Sequence, residues 1–222
     1  GCTKTGDPLG LQQLVFTSHY FNNYVIGNDQ KKNTDVFSIL KTNDNNIFRG
    51  TQGNNYILNY SADNLVRKTG ELPDRLFKSS GHIRQMLETP KGMWIGYLNN
   101  LLLLYDKEKD SFTRYNADID SYRTLCLTPA GNLFIGTMKL IMFDPDTGRT
   151  KTLWECSENA LFYDLLLTSE VILWGSLANS LLFRYDTNSG KQDLFRVTSE
   201  FYHIEDICEG GDGTLWLAML GG

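Results

Sequence analysis

The chain has 222 residues and a formal net charge of −5, with 11 Tyr, 12 Phe and 4 Trp beside only 5 Pro. Its length fits one large β domain or two small ones, and the abundance of aromatic residues favours strands. The acidic charge, with Lys and Arg scattered along the chain, excludes nucleic acid as the expected partner. The longest apolar run, residues 101–105, is far below the ~18 residues of a membrane-spanning helix.

The N-terminal segment is polar and stands apart from the rest. Residues 1–13 are interpreted as a leader or linker. Residues 14–32 are interpreted as an N-terminal strand region, because "FTSHY" (16–20) resembles "FTRY" (112–115), the last strand of a unit described below. Cys2 follows Gly1 and precedes a polar stretch, so it is either the lipid-bearing start of a mature bacterial lipoprotein or a residue without such a role.

A repeat of about 40 residues organises the remaining chain. "IRQMLETPKGMWIGYLNNLLLLYDKEKDSFTRY" from Ile83 and "YRTLCLTPAGNLFIGTMKLIMFDPDTGRTKTL" from Tyr122 align nearly residue by residue. Further copies begin at Val36, Phe162 and Ile204. The units are residues 33–78, 79–118, 119–157 and 158–200, followed by a partial copy at 201–222.

Equivalent positions of the copies share a chemical character. An aromatic position holds Phe48, Trp94, Phe134, Trp174 and Trp216. A glycine position holds Gly50, Gly96, Gly136 and Gly175, with Ala218 in the last copy, and a small apolar position holds Leu40, Leu87, Cys126, Leu166 and Cys208. Because apolar positions that repeat in this way are packing positions, the aromatic side chains are predicted to pack between neighbouring units.

Each full copy predicts four short strands. In the second copy these are residues 83–88, "MWIG" after the turn "TPKG", a strand ending at Tyr105, and "SFTRY" after the hairpin "DKEKD". No stretch of ten or more residues has the periodicity of an amphipathic helix. Four strands in every 40 to 46 residues are typical of a β-propeller blade. The predicted fold class is therefore all-β, with four full four-stranded antiparallel blades and one partial blade.

The segments "GMWIGYLNNLLLLYD", "GNLFIGTMKLIMFD", "LFRYD" and "GDGTLWLAMLGG" resemble the two-component regulator propeller repeats of the periplasmic sensor region of hybrid histidine kinases from gut Bacteroidetes. "TDVFSILKTNDNNIFRGT" (34–51) is similar to the first repeat of such sensors, although Arg49 replaces the usual Ile. The resemblance covers about residues 14–222. It implies a ring of about seven blades, of which this chain would be a part. The alternative is a small closed ring of about five blades. A separate hypothesis is that the N-terminal strand supplies an outer strand to the last blade, which would still lack its third strand.

One position of the innermost strand changes its chemistry from copy to copy: Phe37, Arg84, Arg123, Tyr163 and Glu205. Packing positions repeat, whereas a position that varies is either free or functional. Arg84, Arg123, Tyr163 and Glu205 are therefore the candidate ligand-binding residues, because such a rim suits hydrogen bonding and stacking with a sugar or an acidic oligosaccharide. A solvated channel mouth is the alternative interpretation.

No cofactor or metal site is expected from the sequence. His82 and His203 occupy matching positions before the first strand of their copies but have no carboxylate at a fixed spacing. "DPDTG" (144–148) and "DTNSG" (186–190) lack the ligand spacing of a calcium loop, and "EGGDGT" (209–214) lacks the helix and Lys of a phosphate loop. All three segments are predicted to be turns.

The resemblance implies an extracytoplasmic sensor module in the periplasm of a Gram-negative bacterium, which detects glycan fragments and signals to a kinase outside this chain. The expected partners are an oligosaccharide, the remaining blades or a second propeller, and a second copy in a homodimer. A membrane would be contacted only through parts outside this chain or a lipid on Cys2. The module is expected not to be an enzyme.

Two alternatives to this function stay open. A sugar-active, glycosidase-like propeller enzyme would use Asp164, Glu205 and Asp206 as its acids. A structural or protein-binding propeller lipoprotein would need neither a ligand nor these acids.

Overall fold

A computed structural model describes residues 11–14, 21–24, 36–44, 46–51, 56–61, 68–71, 82–98, 101–115, 119, 121–200 and 202–220. The described residues form strands, turns and connecting segments without a helix, so the predicted all-β class is confirmed. Within these ranges there is accordingly no helix of the length and apolarity that crossing a membrane requires. The side chains of residues 11–24 and 51–71 are not described.

Four sheets have four antiparallel strands each, and neighbours in the chain are neighbours in the sheet. Blade 1 contains β3 (Val36–Lys41), β4 (Asn46–Thr51), β5 (Tyr56–Ser61) and β6 (Lys68–Glu71). Blade 2 contains β7 (Ile83–Thr89), β8 (Gly92–Tyr97), β9 (Leu101–Asp106) and β10 (Ser111–Tyr115). Blade 3 contains β11 (Thr124–Leu127), β12 (Leu133–Gly136), β13 (Lys139–Asp144) and β14 (Arg149–Glu155). Blade 4 contains β15 (Phe162–Leu167), β16 (Ile172–Leu177), β17 (Leu181–Asp186) and β18 (Gln192–Arg196).

Two smaller sheets flank the four blades in the sequence. β1 (Leu11–Leu14) and β2 (Phe21–Tyr24) form a hairpin, with Leu11 opposite Tyr24. β19 (His203–Glu209) and β20 (Leu215–Leu220) form a two-stranded sheet, named here the last sheet. The predicted outer strand at residues 16–20 and the candidate lipid site Cys2 lie outside the described residues.

The middle strands of a blade are buried on both faces. In β8, residues 93–97 are all buried, and β9 begins with three buried leucines. β10, by contrast, exposes residues 111, 113 and 114. Strands covered by neighbouring sheets on both faces carry continuous apolar runs, whereas an outer strand alternates. The apolar runs of the sequence thus mark the middle strands of each blade, which are covered on both faces by neighbouring sheets.

The core consists of four clusters, and each cluster joins one blade to the next sheet. The aromatic residue of the repeat lies in each of them: Phe48 packs in a cluster with Ile83, Trp94 with Leu125, Phe134 with Phe162, and Trp174 with Ile204. Trp154 on the outer strand β14 joins the third cluster, with its ring centroid 4.3 Å from that of Phe183. The aromatic position of each blade is therefore covered by the next sheet.

The same hydrogen-bond geometry closes the hairpin between the third and fourth strands in blades 2, 3 and 4. Asp106, Asp144 and Asp186 each accept backbone N–H groups two and three residues ahead, at 2.8–3.3 Å. The pKa of all three carboxyl groups lies below the usual range: side-chain hydrogen bonds from Lys109 to Asp106 and from Thr147 to Asp144 have the largest effect there, and the backbone bond of Ser189 has the largest effect at Asp186. The acids of "DPDTG" and "DTNSG" are therefore occupied in building turns.

Candidate functional site

The variable position of the repeat coincides with a break in the strand register. β3 pairs with β4 at Val36 and again at Ser38, so Phe37 is the extra residue of a β-bulge. The pairings of β7, β15 and β19 skip one residue in the same way. The skipped residues are Arg84, Tyr163 and Glu205. A bulge bends its strand and re-aims a side chain, and bulges are frequent next to active sites.

Arg123 occupies the equivalent place in blade 3. It directly precedes β11, and its backbone N–H donates to the carbonyl of Gly136 at 3.2 Å, while the next residue, Thr124, pairs with Gly136 in the ladder. Two consecutive residues of the innermost segment therefore oppose one residue of β12. The irregularity is thus common to all five units.

The five bulge residues surround one cavity of about 540 Å³. We name it the rim cavity, and its wall includes Phe37, Arg84, Arg123, Tyr163 and Glu205. Arg84, Arg123 and Tyr163 are half-buried, and Glu205 is exposed. The structure therefore brings together all four candidate ligand-binding residues of the sequence, and it adds Phe37 to them.

Two aromatic rings support the two arginines. The guanidinium carbon of Arg84 lies 5.8 Å from the ring centroid of Phe37, and that of Arg123 lies 5.7 Å from the ring centroid of Tyr163. These distances are within the range of cation–π attraction. Burial lowers the pKa of Arg84, the positive charge of Arg123 lowers it further, and the negative charge of Glu205 opposes both.

The imidazole rings of His82 and His203 contact the aromatic rings of Phe37 and Tyr163, respectively. The imidazole of His82 lies 4.9 Å from the Phe37 ring, and that of His203 lies 5.2 Å from the Tyr163 ring, measured between centroids. The buried Nδ1 atom of each imidazole has no hydrogen-bond partner among the described residues. The same residues contain no group of three His, Cys, Asp or Glu side chains arranged to hold a metal ion. The described contacts of the two histidines are with the aromatic rings of the rim.

Asp164 and Asp206 form a carboxyl pair at the edge of the rim cavity. The backbone N–H of Ile207 donates to Oδ2 of Asp164 at 3.1 Å and to Oδ1 of Asp206 at 2.9 Å. Burial raises the pKa of Asp164 to about 6, and the neighbouring Asp206 raises it as well, while the Ile207 N–H acts in the opposite direction. The surroundings of Asp164 therefore favour its protonated form more than water does.

The position of Asp164 has a structural explanation as well. Gln85 follows the bulge residue of blade 2 as Asp164 follows that of blade 4, and the Oε1 atom of Gln85 accepts the backbone N–H of Leu125 in blade 3. Asp164 makes the equivalent bond to Ile207 of the last sheet. Both side chains therefore link the innermost strands of neighbouring sheets.

A second cavity, of about 720 Å³, lies between the first hairpin of blade 4 and the hairpin of the last sheet. Its wall includes Trp174 at the repeated aromatic position, Glu209 and the turn at residues 210–213. We place the candidate site in the rim cavity, because the variable position of every unit meets there.

Comparison with known proteins supports the fold. No protein-family model and no curated protein sequence matches the chain. Among solved structures, the extracellular domain of BT4673 from B. thetaiotaomicron, described as a one-component system, matches with a TM-score of 0.71 at 19% identity. A second structure of the BT4673 extracellular domain, described as a hybrid two-component system, matches with a TM-score of 0.62 at 18% identity. Virginiamycin B lyase from Staphylococcus aureus matches with a TM-score of 0.72 at 17% identity. The extracellular domain of BT3049, described as a hybrid two-component system of B. thetaiotaomicron, matches with a TM-score of 0.64 at 14% identity.

The fold is that of a β-propeller. The BT4673 match covers 89% of this chain and 27% of that structure, and the lyase match covers 84% of this chain and 64% of that structure. The chain therefore spans about a quarter of the first sensor structure and less than two thirds of the lyase. The predicted propeller class and its likeness to two-component sensor domains are confirmed at the level of the fold.

Proposed function

We propose that this chain is part of an extracytoplasmic sensor of a two-component signalling system, and that glycan fragments bind in its rim cavity. The repeat resemblance and the likeness to extracellular domains of such systems support the sensor assignment. Under this proposal the protein belongs to a Bacteroidetes bacterium, the module faces the periplasm, and the kinase lies outside the 222 residues.

The observation that carries the proposal is the bulge at the variable position. Every unit turns one side chain out of its ladder at the same place, and these side chains, of four residue types among five units, share one cavity. A packing role would favour repetition, as it does at the aromatic and glycine positions. Chemical variation at a geometrically repeated bulge favours recognition of an irregular, polar ligand.

The chemistry of the rim suits a saccharide. Sugar rings present apolar faces to aromatic side chains, and their hydroxyl groups both donate and accept hydrogen bonds. Phe37 and Tyr163 supply the aromatic faces, Arg84 and Arg123 supply donors, and Glu205 supplies an acceptor. A cavity of about 540 Å³ is large enough for a short oligosaccharide.

Calorimetry with the 222-residue chain tests this assignment. The probes are neutral and uronic-acid-containing tri- and tetrasaccharides. We expect Tyr163→Ala to weaken binding at least tenfold and Glu205→Gln to weaken it less, because stacking area counts for more than one exposed acceptor. Glu108→Gln, an exposed carboxylate on the hairpin of blade 2, is the matched control and leaves the affinity unchanged.

Two results would overturn the assignment. Unchanged affinity in both rim variants would place the binding site elsewhere on the molecule. Absence of binding to every saccharide in the panel would refute glycan recognition by this chain.

A second candidate, a sugar-cleaving enzyme, is favoured by the carboxyl pair and by the likeness to a lyase fold. An acid whose pKa is raised to about 6 can donate a proton near neutral pH. However, Asp164 shares its interblade role with Gln85, which accounts for the residue without catalysis. Product analysis by mass spectrometry after incubation with the same saccharides decides the matter: an enzyme releases shorter products, and Glu205→Ala or Asp206→Ala abolishes that release.

The sensor proposal also assigns a partner to the last sheet. Trp216 and Leu220 on β20 are 66% and 62% exposed. In blades 1 to 4 the equivalent aromatic residue packs against the innermost strand of the next sheet. We propose that the innermost strand of a further propeller blade covers Trp216 in the same way.

A further inference from the structure

Arg84 and Arg123 bring two positive charges together on adjacent blades. Both side chains line the rim cavity, and the positive charge of Arg123 contributes to lowering the pKa of Arg84. Guanidinium groups stay protonated in proteins, so both charges persist at neutral pH. A negatively charged group of a ligand would relieve the repulsion between them.

The described residues provide no direct counter-ion for either group. The ion pairs between described residues join other lysines and arginines to other acids. Glu205 acts on Arg84 without an ion-pair contact among these residues, and Asp164 and Asp206 accept the backbone N–H of Ile207. The Nε atom of Arg123 is buried and has no hydrogen-bond acceptor among the described residues. An unpaired buried donor of this kind is unfavourable, and a ligand oxygen would satisfy it.

The described neighbours of the two guanidinium groups include aromatic rings. Phe37 and Tyr163 offer cation–π attraction but no oxygen acceptor, so N–H groups of both arginines remain available to a ligand. The N–H fork of an arginine matches two oxygens of a carboxylate, sulfate or phosphate group. Asp164, Glu205 and Asp206 line the same cavity, and their oxygens can accept hydrogen bonds from hydroxyl groups. The rim cavity therefore offers cationic donors for an acidic group and acceptors for hydroxyl groups.

We propose that Arg84 and Arg123 together bind an anionic oxo group of the ligand, a carboxylate or a sulfate ester carried by a saccharide. This assignment rests on the proposed function, because it takes the rim cavity to be the glycan site. It names the substrate class more narrowly: acidic saccharides are bound and their neutral counterparts are discriminated against. The three carboxylates accept hydrogen bonds from the hydroxyl groups of the same ligand.

Matched ligands test the proposal with the 222-residue chain. Trigalacturonic acid is compared with its methyl ester and with a sulfated disaccharide by calorimetry. We expect the acid or the sulfated sugar to bind at least tenfold more tightly than the ester, and the difference to shrink between 50 and 500 mM salt, as expected for about two released charges. Whichever of the two binds more tightly identifies the source of the oxo group.

Arginine variants connect this preference to the two residues. Arg84→Gln and Arg123→Gln are expected to remove most of the preference for the acid, so that the acid and the ester bind with similar affinity. Arg84→Lys keeps the charge but loses the fork, so it should retain the salt dependence with weaker binding. Arg114→Gln, on the exposed outer strand β10, is the matched control. Urea unfolding of each variant confirms that it is folded, and Arg84→Lys carries the test if a glutamine variant is not.

Proton NMR of the arginine Nε–H groups separates this inference from the proposed function. Sodium sulfate, titrated at constant ionic strength, should shift the Arg123 Nε–H signal, and Arg84→Gln should abolish the shift. A sulfate shift without binding of any saccharide would keep the anion site and refute the glycan function. Equal affinity for acid and ester, undisturbed in both glutamine variants, would overturn the anion site and leave glycan binding intact. An unchanged Arg123 signal with sulfate and with every acidic saccharide would also overturn the anion site.

Discussion

Trp94 in blade 2 and Trp216 in the last sheet occupy the same position of the repeat, but they meet opposite surroundings. Trp94 is 1% exposed, and its ring centroid lies 4.9 Å from that of Tyr115 and 5.9 Å from that of Phe143 in blade 3. Trp216 is 66% exposed, because none of the described residues forms a sheet against its face. Burial in this fold is therefore supplied by the neighbouring blade, and a blade's own sequence cannot provide it.

The largest effect is expected when each of the two tryptophans is replaced in turn. Trp94→Ala should lower the free energy of unfolding by about 3–5 kcal/mol, because it leaves a cavity between blades 2 and 3. Trp216→Ala should lower it by less than about 1 kcal/mol, since its side chain is already exposed. Urea unfolding followed by circular dichroism measures both values. Equal losses would show that the face of Trp216 is covered in solution.

The free energy of unfolding should depend on pH through Asp164, which lies at the interface between blade 4 and the last sheet. The folded pKa of Asp164 is raised from 3.8 to about 6, so the folded state binds the proton more tightly than the unfolded state. The stabilisation is therefore complete below about pH 4 and is lost as pH rises through 6. The loss is about 2–3 kcal/mol, at 1.36 kcal/mol for each pKa unit.

Asp164→Asn tests that sign. Asparagine keeps an acceptor for the Ile207 N–H but does not titrate, so stability curves of the two proteins should converge at pH 4 and separate at pH 7, with the variant more stable. A constant difference across this range would show that Asp164 does not titrate between pH 4 and 7.

A smaller effect is expected at the glycine position. A Cβ atom at residue 136 would lie 2.5 Å from Cγ2 of Thr124 and 2.8 Å from Cβ of Phe162 in the next blade. Gly136→Ala should therefore cost about 1–3 kcal/mol through overpacking. Gly211→Ala is the control, because no heavy atom lies within 4 Å of the added methyl group. Thermal unfolding that ranks the two variants alike would mean that blade 4 moves aside without cost.

The smallest expected effect concerns a contact that recurs between blades. Glu88 accepts the backbone N–H of Asn43 in blade 1 at 2.7 Å and pairs with Lys107 at 2.6 Å. Glu209 accepts the N–H of Ser169 in blade 4 at 3.2 Å, and no ion pair of Glu209 is formed with the described residues. Glu88→Ala should cost about 1 kcal/mol and Glu209→Ala about half of that. Repeating the urea unfolding in 1 M NaCl should narrow the gap, and a gap that widens with salt would contradict the ion-pair contribution.

The rim shows how far sequence reasoning reaches toward the site. Arg84, Arg123, Tyr163 and Glu205 could be named from the sequence because one position varied where its neighbours repeated. Their bulges could not be predicted, because register depends on how each strand pairs with the next. Phe37 belonged to the same position, but its role beneath Arg84 became visible only from the ring geometry. The sequence makes Asp164 a candidate catalytic acid. The structure gives it a structural role, because it accepts the N–H of Ile207 as Gln85 accepts that of Leu125.

A threonine repeats at the end of the first strand of each full blade. Thr42, Thr89, Thr128 and Thr168 occupy one position at the end of the first strand. The hydroxyl groups of Thr42, Thr89 and Thr168 donate to a carbonyl across the following turn at 2.9–3.1 Å, and that of Thr128 accepts the N–H of Asn132 at 3.0 Å. Threonine at a fixed place before a turn is a recognisable closing signal, and the same alignment of copies would have revealed it.

The sequence by itself determined the all-β class, the four-stranded unit and the aromatic position, because each of these depends on local patterns that recur every 40 or so residues. Tertiary structure alone decided which copies of a repeated residue are buried. Cys126 packs against the cluster between blades 3 and 4, whereas Cys208, at the same repeat position, is exposed. It also decided that five variable side chains share one cavity, since they meet only when neighbouring blades stack. Local patterns are encoded within one unit, but burial and convergence depend on the presence of the next.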